Sequence, residues 1–401
     1  MMKNFMKNTD QMFKFQGFIS IVLGVIILIF IIMWSLDKMN LNSENCSDLN
    51  EIYGKNDTFI SSFSPNNSEY QGDLRNYTIK TAYNCCASGK FKNDFVNLCA
   101  LKNCIQQGAR CLDFEIYSIN DDPVIAASFI NDYTQKGTYN GVPFEKAMST
   151  IEKCAFNSGS ECNCPNPNDP LILHFRIMSK NKKIYDKMAK ILSTTLETKL
   201  LGDKYSYGNS QGHKDEQYFI GSEPLTNFTD KIIIAIEYSD LLIKSDLFEF
   251  TNICSNSPSG FMKLVRYSDL KNLLSPDELK EQCKKYFCIC LPDISTSADN
   301  QSATLALQFG CQMIGMSFQN FDVNMQFYSE FFDDHGSAFV YQCPGPHCYI
   351  PLVVSPVKQL PKWRTDPSPH KPQIISFGNN DENGDKNDAL LKIDTANTFF
   401  K

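Results

Sequence analysis

Asp113 and Glu115 stand two residues apart in GARCLDFE, residues 108–115. The stretch before them, DFVNLCALKNCIQQ, repeats Phe95, Leu98, Leu101 and Ile105 at helical spacing, and the pattern then changes to alternation. That change predicts a helix, a glycine turn and a strand. On the strand the two carboxylates share one face, while Leu112, Phe114 and Ile116 share the other. Paired carboxylates are costly to bury without a cation between them, so the pattern is either a solvated strand face or a cation site. A second apolar run, LILHFRI at 171–177, puts His174 and Arg176 on one face in the same way. A histidine can move a proton near neutral pH, and a guanidinium can bridge two carboxylates with charge-assisted hydrogen bonds.

Holding such groups opposite one another requires a sheet. From about residue 76 the runs LILHF, KIIIAI, FCICL and MIGMSF alternate with amphipathic helical segments. PFEKAMSTIEKCAF opens on Pro143 and places Phe144, Ala147, Met148 and Ile151 on one stripe. NKKIYDKMAKILSTTLETKL does the same with Ile184, Met188, Ile191 and Leu192, and Ser275, Pro276 and Glu278 predict a capping box before LKEQCKKYF. Strand–helix alternation of this length predicts an α/β domain, a parallel sheet with helices outside. Alternation alone does not distinguish an open sheet from a closed barrel.

Several words along the chain resemble the barrel of phosphoinositide-specific phospholipase C. TAYNCC (81–86), GARCLDFE, DDPVIAAS, PLILHFRI, LLGDK (200–204) and TDKIIIAIE (229–237) are similar, in order, to the X half of that family. GCQMIGMSFQNFDVNMQFYSEFFDDHGSAFVY (310–341) is similar to the end of its Y half. The resemblance implies a (β/α)8 TIM barrel. It also implies a phosphodiesterase in which one histidine deprotonates the inositol 2-hydroxyl, a second assists the leaving group, and Ca2+ steadies the phosphate.

Carried over position by position, that machinery is mostly missing. Tyr83 stands where the family has its first histidine, and a phenol with a pKa of about 10 is a poor base at neutral pH. Ala127 stands at the second. Of the metal ligands, Asn84 is kept, Asp113 and Glu115 appear in swapped order, and the fourth carboxylate position holds Arg176. The resemblance thus places a cation in a cation's neighbourhood, and an internal Arg176 salt bridge in place of the metal is the reading. Ala235 and Glu237 fall where lysines would bind inositol phosphates, and Pro292 falls near a substrate arginine. His174 is the one histidine on a predicted barrel strand and the candidate substitute proton carrier; His335 lies near the barrel end, and His213, His347 and His370 lie in loop or tail composition.

The 401-residue chain, 42% hydrophobic, is long enough for one large core with appendages. Its net charge of −7 disfavours nucleic acid as a partner. Residues 15–36 carry no charge and are long enough to cross a bilayer as a helix. Lys3, Lys7 and Lys14 precede the span, which predicts a cytoplasmic N-terminus and a luminal or extracellular barrel. All sixteen cysteines follow the span, as do sequons at Asn45, Asn56, Asn66, Asn76, Asn227 and Asn300, so disulfides and glycans are expected. For Cys162 and Cys164, Cys288 and Cys290, and Cys343 and Cys348, disulfides are preferred to metal binding, since none belongs to a paired C-x-x-C module. Cys85 and Cys86 beside Asn84 could staple the mouth.

The resulting division is a cytoplasmic tail (1–14), an anchor (15–36), a stalk (37–75), an X-like half (76–240), a connection (241–260), a Y-like half (261–345) and an extended or disordered tail (346–401). The functional expectation is a type II membrane protein whose barrel has lost catalysis, needs no cofactor, and binds a lipid or protein at its mouth or serves structurally. The alternative is an active phosphodiesterase, with Ca2+ or with Arg176 in its place, using Tyr83, His174 or Arg176 in altered roles.

Overall fold

Short apolar runs bounded by Gly, Asn and Ser turns pair into one closed sheet. The structure is a computed structural model that describes residues 2–54, 58–130, 135–159, 162–207, 219–342, 372–380 and 386–394. The strands in chain order are β1 (Tyr77–Ala82), β2 (Cys111–Ile119), β3 (Asp122–Ala126), β4 (Val142–Pro143), β5 (Leu171–Ile177), β6 (Ile232–Glu237), β7 (Ile253–Ser255), β8 (Met262–Arg266), β9 (Phe287–Leu291), β10 (Met313–Met316) and β11 (Phe339–Tyr341). Eight of them, in the order β1-β2-β5-β6-β7-β8-β9-β10, pair in parallel, and β10 returns to β1 to close the barrel. β11 adds antiparallel to β1, while β3 folds back antiparallel on β2 through the Asn120–Asp121 turn, both residues at positive φ, and β4 adds antiparallel to β3. This is the (β/α)8 TIM barrel, and its mouth lies at the C-terminal strand ends.

The helices are α1 (Met2–Gly54), α2 (Leu98–Gln106), α3 (Phe144–Cys154), α4 (Lys182–Thr195), α5 (Asp240–Ile243), α6 (Leu247–Phe250), α7 (Tyr267–Lys271), α8 (Pro276–Lys285), α9 (Ala303–Gln308) and α10 (Val323–His335). The period-2 pattern of β2 works as its sequence predicts. Phe114 faces outward and meets Phe175 of β5, whose ring packs edge-on against Phe144 of α3 at 5.3 Å. All three rings are fully buried, each contributing about 2–3 kcal/mol.

Four expectations are corrected. Residues 37–75 are not a free stalk: α1 continues to Gly54 and docks on α2 and the β10–α10 loop, burying Leu49 and Tyr53. Asn residues that suggest disorder by composition here form a side-chain ladder, Asn42–Asn97, Asn45–Asp94 and Asn50–Asn103, beside the disulfide Cys46–Cys99. Ile60 and Phe63 then pack into the core. The connection at 241–260 contains β7, a three-residue strand too short to show a period. Within 346–401, the described residues form two strands, β12 (Pro372–Asn380) and β13 (Lys386–Asp394), that pair antiparallel, so these residues are not structureless. Ser275 precedes α8 without the capping hydrogen bond its spacing predicts.

One helical stretch, Gln16–Gly54, is long and apolar enough to cross a membrane. Its apolar side chains from Phe18 to Leu36 are exposed to the surroundings.

Candidate active site

The register fixes the site. Asp113 of β2 lies opposite His174 of β5, which lies opposite Ala235 of β6, and one layer nearer the mouth Glu115 lies opposite Arg176. Tyr83 and Asn84 follow the end of β1, where Asn84 takes positive φ, and Ala127 and Ser128 follow β3. Parallel pairing with the two-residue period therefore brings four distant words to one point.

There the Arg176 guanidinium grips Asp113 with both arms, Nε to Oδ1 at 3.0 Å and Nη2 to Oδ2 at 2.8 Å. Nη2 also donates to Asn84 Oδ1 at 2.8 Å, and Nη1 lies 3.9 Å from Glu115 Oε1. The guanidinium stacks 5.0 Å over the Tyr83 ring. Glu115 accepts from the Ser128 N–H and the Tyr117 hydroxyl, both at 3.1 Å, and from Asn84 Nδ2 at 3.5 Å. Asn84, Asp113, Glu115, His174 and Arg176 are each at most 3% exposed, so the cluster is sealed.

Burial opposes the Asp113 charge, yet Arg176 and then His174 hold its carboxyl well below the usual range. Burial pushes Glu115 up, countered only in part by the more distant Arg176. For Arg176 burial opposes the charge, but Asp113 drives its pKa further up, so the guanidinium stays ionised. The donor set does not fit calcium. The family's cage needs oxygens around a central point, and here a guanidinium already satisfies Asp113 and Asn84.

His174 Nδ1 lies 2.7 Å from Asp113 Oδ1, and its Nε2 lies 3.3 Å from Ser255 Oγ. This is the acid–histidine–hydroxyl order of a nucleophilic triad, but His174 and Ser255 have no exposed surface. Ala235 is buried in the layer of His174, and Glu237 sits partly exposed at the end of β6. Arg266 of β8 reaches Tyr83 Oη at 3.5 Å and the Pro292 carbonyl at 2.8 Å. Tyr117, Ser128, Ser255 and Arg266 were not evident from the sequence. Tyr117 repeats the face of Glu115 two residues on, a usable signal; Ser255, alone in a short strand, offers none.

Cys85 and Cys86 form no staple: both are free and buried. The described disulfides are Cys46–Cys99 and Cys154–Cys162, and Cys164 instead contacts Arg110. His335 caps its own helix through the Phe331 carbonyl, away from the cluster. His213, His347, His370, Cys343 and Cys348 lie outside the described residues. Asn300 is buried, its amide donating to the Ser317 and Asn320 carbonyls, so it cannot carry a glycan in the folded protein.

Residues 70–235 match the family described as phosphatidylinositol-specific phospholipase C, X domain. No curated protein matches the chain. Among solved structures, S. officinalis PLC21 is similar at 16% identity and TM-score 0.55, covering 69% of this chain and 38% of that one. L. pealei PLC21 is similar at 16% identity and TM-score 0.54 over the same shares. The chain thus spans little more than a third of these structures, and at such identity they establish the fold alone. The X-domain match thus covers the part of the closed parallel barrel that runs from β1 into β6.

Proposed function

We propose that this protein is a membrane-anchored phospholipase C-like barrel without phosphodiesterase activity that binds a lipid or protein ligand at its mouth. The observation that carries the reading is Arg176, which fills the place of a metal and spends its hydrogen bonds on Asp113 and Asn84. Tyr83 and Ala127 stand where the family resemblance puts its histidines, so neither position holds an imidazole.

The course of α1 supports a membrane-facing role. Asn42 pairs with Asn97 at the mouth end of α2, and Asn50 pairs with Asn103 lower down. The helix therefore descends along the barrel from the mouth side, and its apolar stretch leaves on that side. At 1.5 Å per residue, Leu36 stands only about 9 Å above Asn42. A bilayer holding that stretch would be faced by the barrel mouth. The two disulfides and the lysines before the span support a cytoplasmic N-terminus with the barrel luminal or extracellular.

One observation favours the active alternative, the Asp113–His174–Ser255 chain, which would need the cluster to open before any substrate reached it. The test is phosphatidylinositol cleavage by the folded full chain in detergent micelles, with calcium and with chelator. No turnover in either condition is expected, and turnover in either would overturn the reading.

A further inference from the structure

A cluster of thiols lies at the opposite end of the barrel from Arg176. Cys283 sits in the last turn of α8, Cys288 at the entry of β9, and Cys311 just before β10. All three are buried and free, and their sulfurs lie within 4.8 Å of one another. Cys288 Sγ and Cys311 Sγ are 3.6 Å apart. Two sulfurs each about 2.3 Å from one tetrahedral ion stand about 3.8 Å apart.

The backbone around them is fixed in advance. Gln312 Oε1 accepts from the Cys288 N–H at 2.8 Å, and Gln312 Nε2 donates to the Cys283 carbonyl at 2.6 Å and to the Arg75 carbonyl at 2.9 Å. Gly310, at φ +76°, turns the chain out of α9 so that the Cys311 N–H returns to the Ala306 carbonyl. One side chain and one left-handed turn thus aim three sulfurs at a common point. A disulfide would use two of them and strand the third in the core. A soft cation uses all three.

We propose that Cys283, Cys288 and Cys311 form a three-thiolate site for one Zn2+ ion that clips α8 to the entries of β9 and β10. Charge favours zinc over a monovalent ion. Three thiolates and Zn2+ carry one net negative charge, and the charge of Lys263 acts on Cys283 in the direction that favours its thiolate. The site also accounts for three touching thiols staying reduced in a chain that forms disulfides at Cys46–Cys99 and Cys154–Cys162.

The test uses the full chain in detergent, reduced, stripped with chelator and titrated anaerobically with Zn2+, with Cd2+ as the spectroscopic probe. One ion per chain is expected, with a sulfur-to-cadmium charge-transfer band. Metal should also protect Cys283, Cys288 and Cys311 from alkylation, measured by peptide mapping. Cys283→Ser should weaken binding by at least about a hundredfold, the most that losing a mere supporting partner costs. Cys254→Ser, a buried thiol elsewhere, should not. Mapping of protein prepared without reductant that finds any two of the three joined as a disulfide would overturn the proposal. So would equal alkylation of the three with and without metal. Both mapping experiments need only the unaltered chain, so they decide even where Cys283→Ser fails to fold.

Discussion

Arg176→Ala removes the guanidinium from a sealed cluster and leaves Asp113 and Glu115 facing each other with His174 and hydrogen-bond donors alone. Two bonds to Asp113, at 3.0 and 2.8 Å, and one to Asn84, at 2.8 Å, vanish together. Breaking a buried pair by deleting one partner costs about 3–5 kcal/mol, because the other charge stays buried. At roughly 2–4 °C per kcal/mol for a domain of this size, the melting temperature should fall by about 6–20 °C. Arg176→Glu adds a third carboxylate and should fall further in chelator. It should recover with calcium, which a wild-type chain already closed by Arg176 should not feel. If calcium bound at about 100 times its dissociation constant, the recovery would be about 2.7 kcal/mol. Scanning calorimetry of the three proteins in chelator and in calcium reads all of this. A melting temperature for Arg176→Ala within about a degree of wild type, or a wild type stabilised by calcium, would refute the account of Arg176 as the occupant of the metal position.

Other outcomes follow from the packing. Burial pushes Asp169 up to about 7 despite Arg110, against an ordinary value of 3.8. Its folded pKa is the higher one, so its contribution is full below about pH 4 and lost as pH rises through about 7. That is a ceiling of about 4 kcal/mol. Asp169→Asn, which keeps an acceptor for the Phe63 N–H, should flatten the stability profile between pH 4 and 7 in denaturant titrations. Tyr328→Phe strips the buried acceptor of the Thr81 N–H, 2.7 Å away, and should cost about 1–3 kcal/mol by the same measurement. Cys99→Ser opens a loop of 53 residues and should cost up to about 4 kcal/mol by loop entropy, seen as earlier proteolytic release of α1 from the barrel. Glycopeptide mapping should find no glycan at Asn300, whatever the other sequons carry.

The sequence by itself determined the local elements and the chemistry each carries. Alternation in CLDFEI and LILHFRI set which side chains share a face. The glycine after α2 set where the helix stops, and the uncharged run to Leu36 set a helix fit for a bilayer. Those features follow from periods of two or a little under four residues, which a single segment contains in full. Tertiary structure decided what no segment contains. Strand register put Arg176 opposite Glu115 and within reach of Asp113. Ser255, in a strand of three residues, became a partner of His174 only once β7 took its place in the barrel. The Asn-rich stretch after Leu36 reads as disordered by composition, because its order depends on side-chain partners on α2 and in the turn before it, some fifty residues away. Cys283, Cys288 and Cys311 share no spacing motif, and closure of the second half of the barrel brings them to one point. Local pattern is a property of neighbours along the chain, whereas a site is a property of neighbours in space.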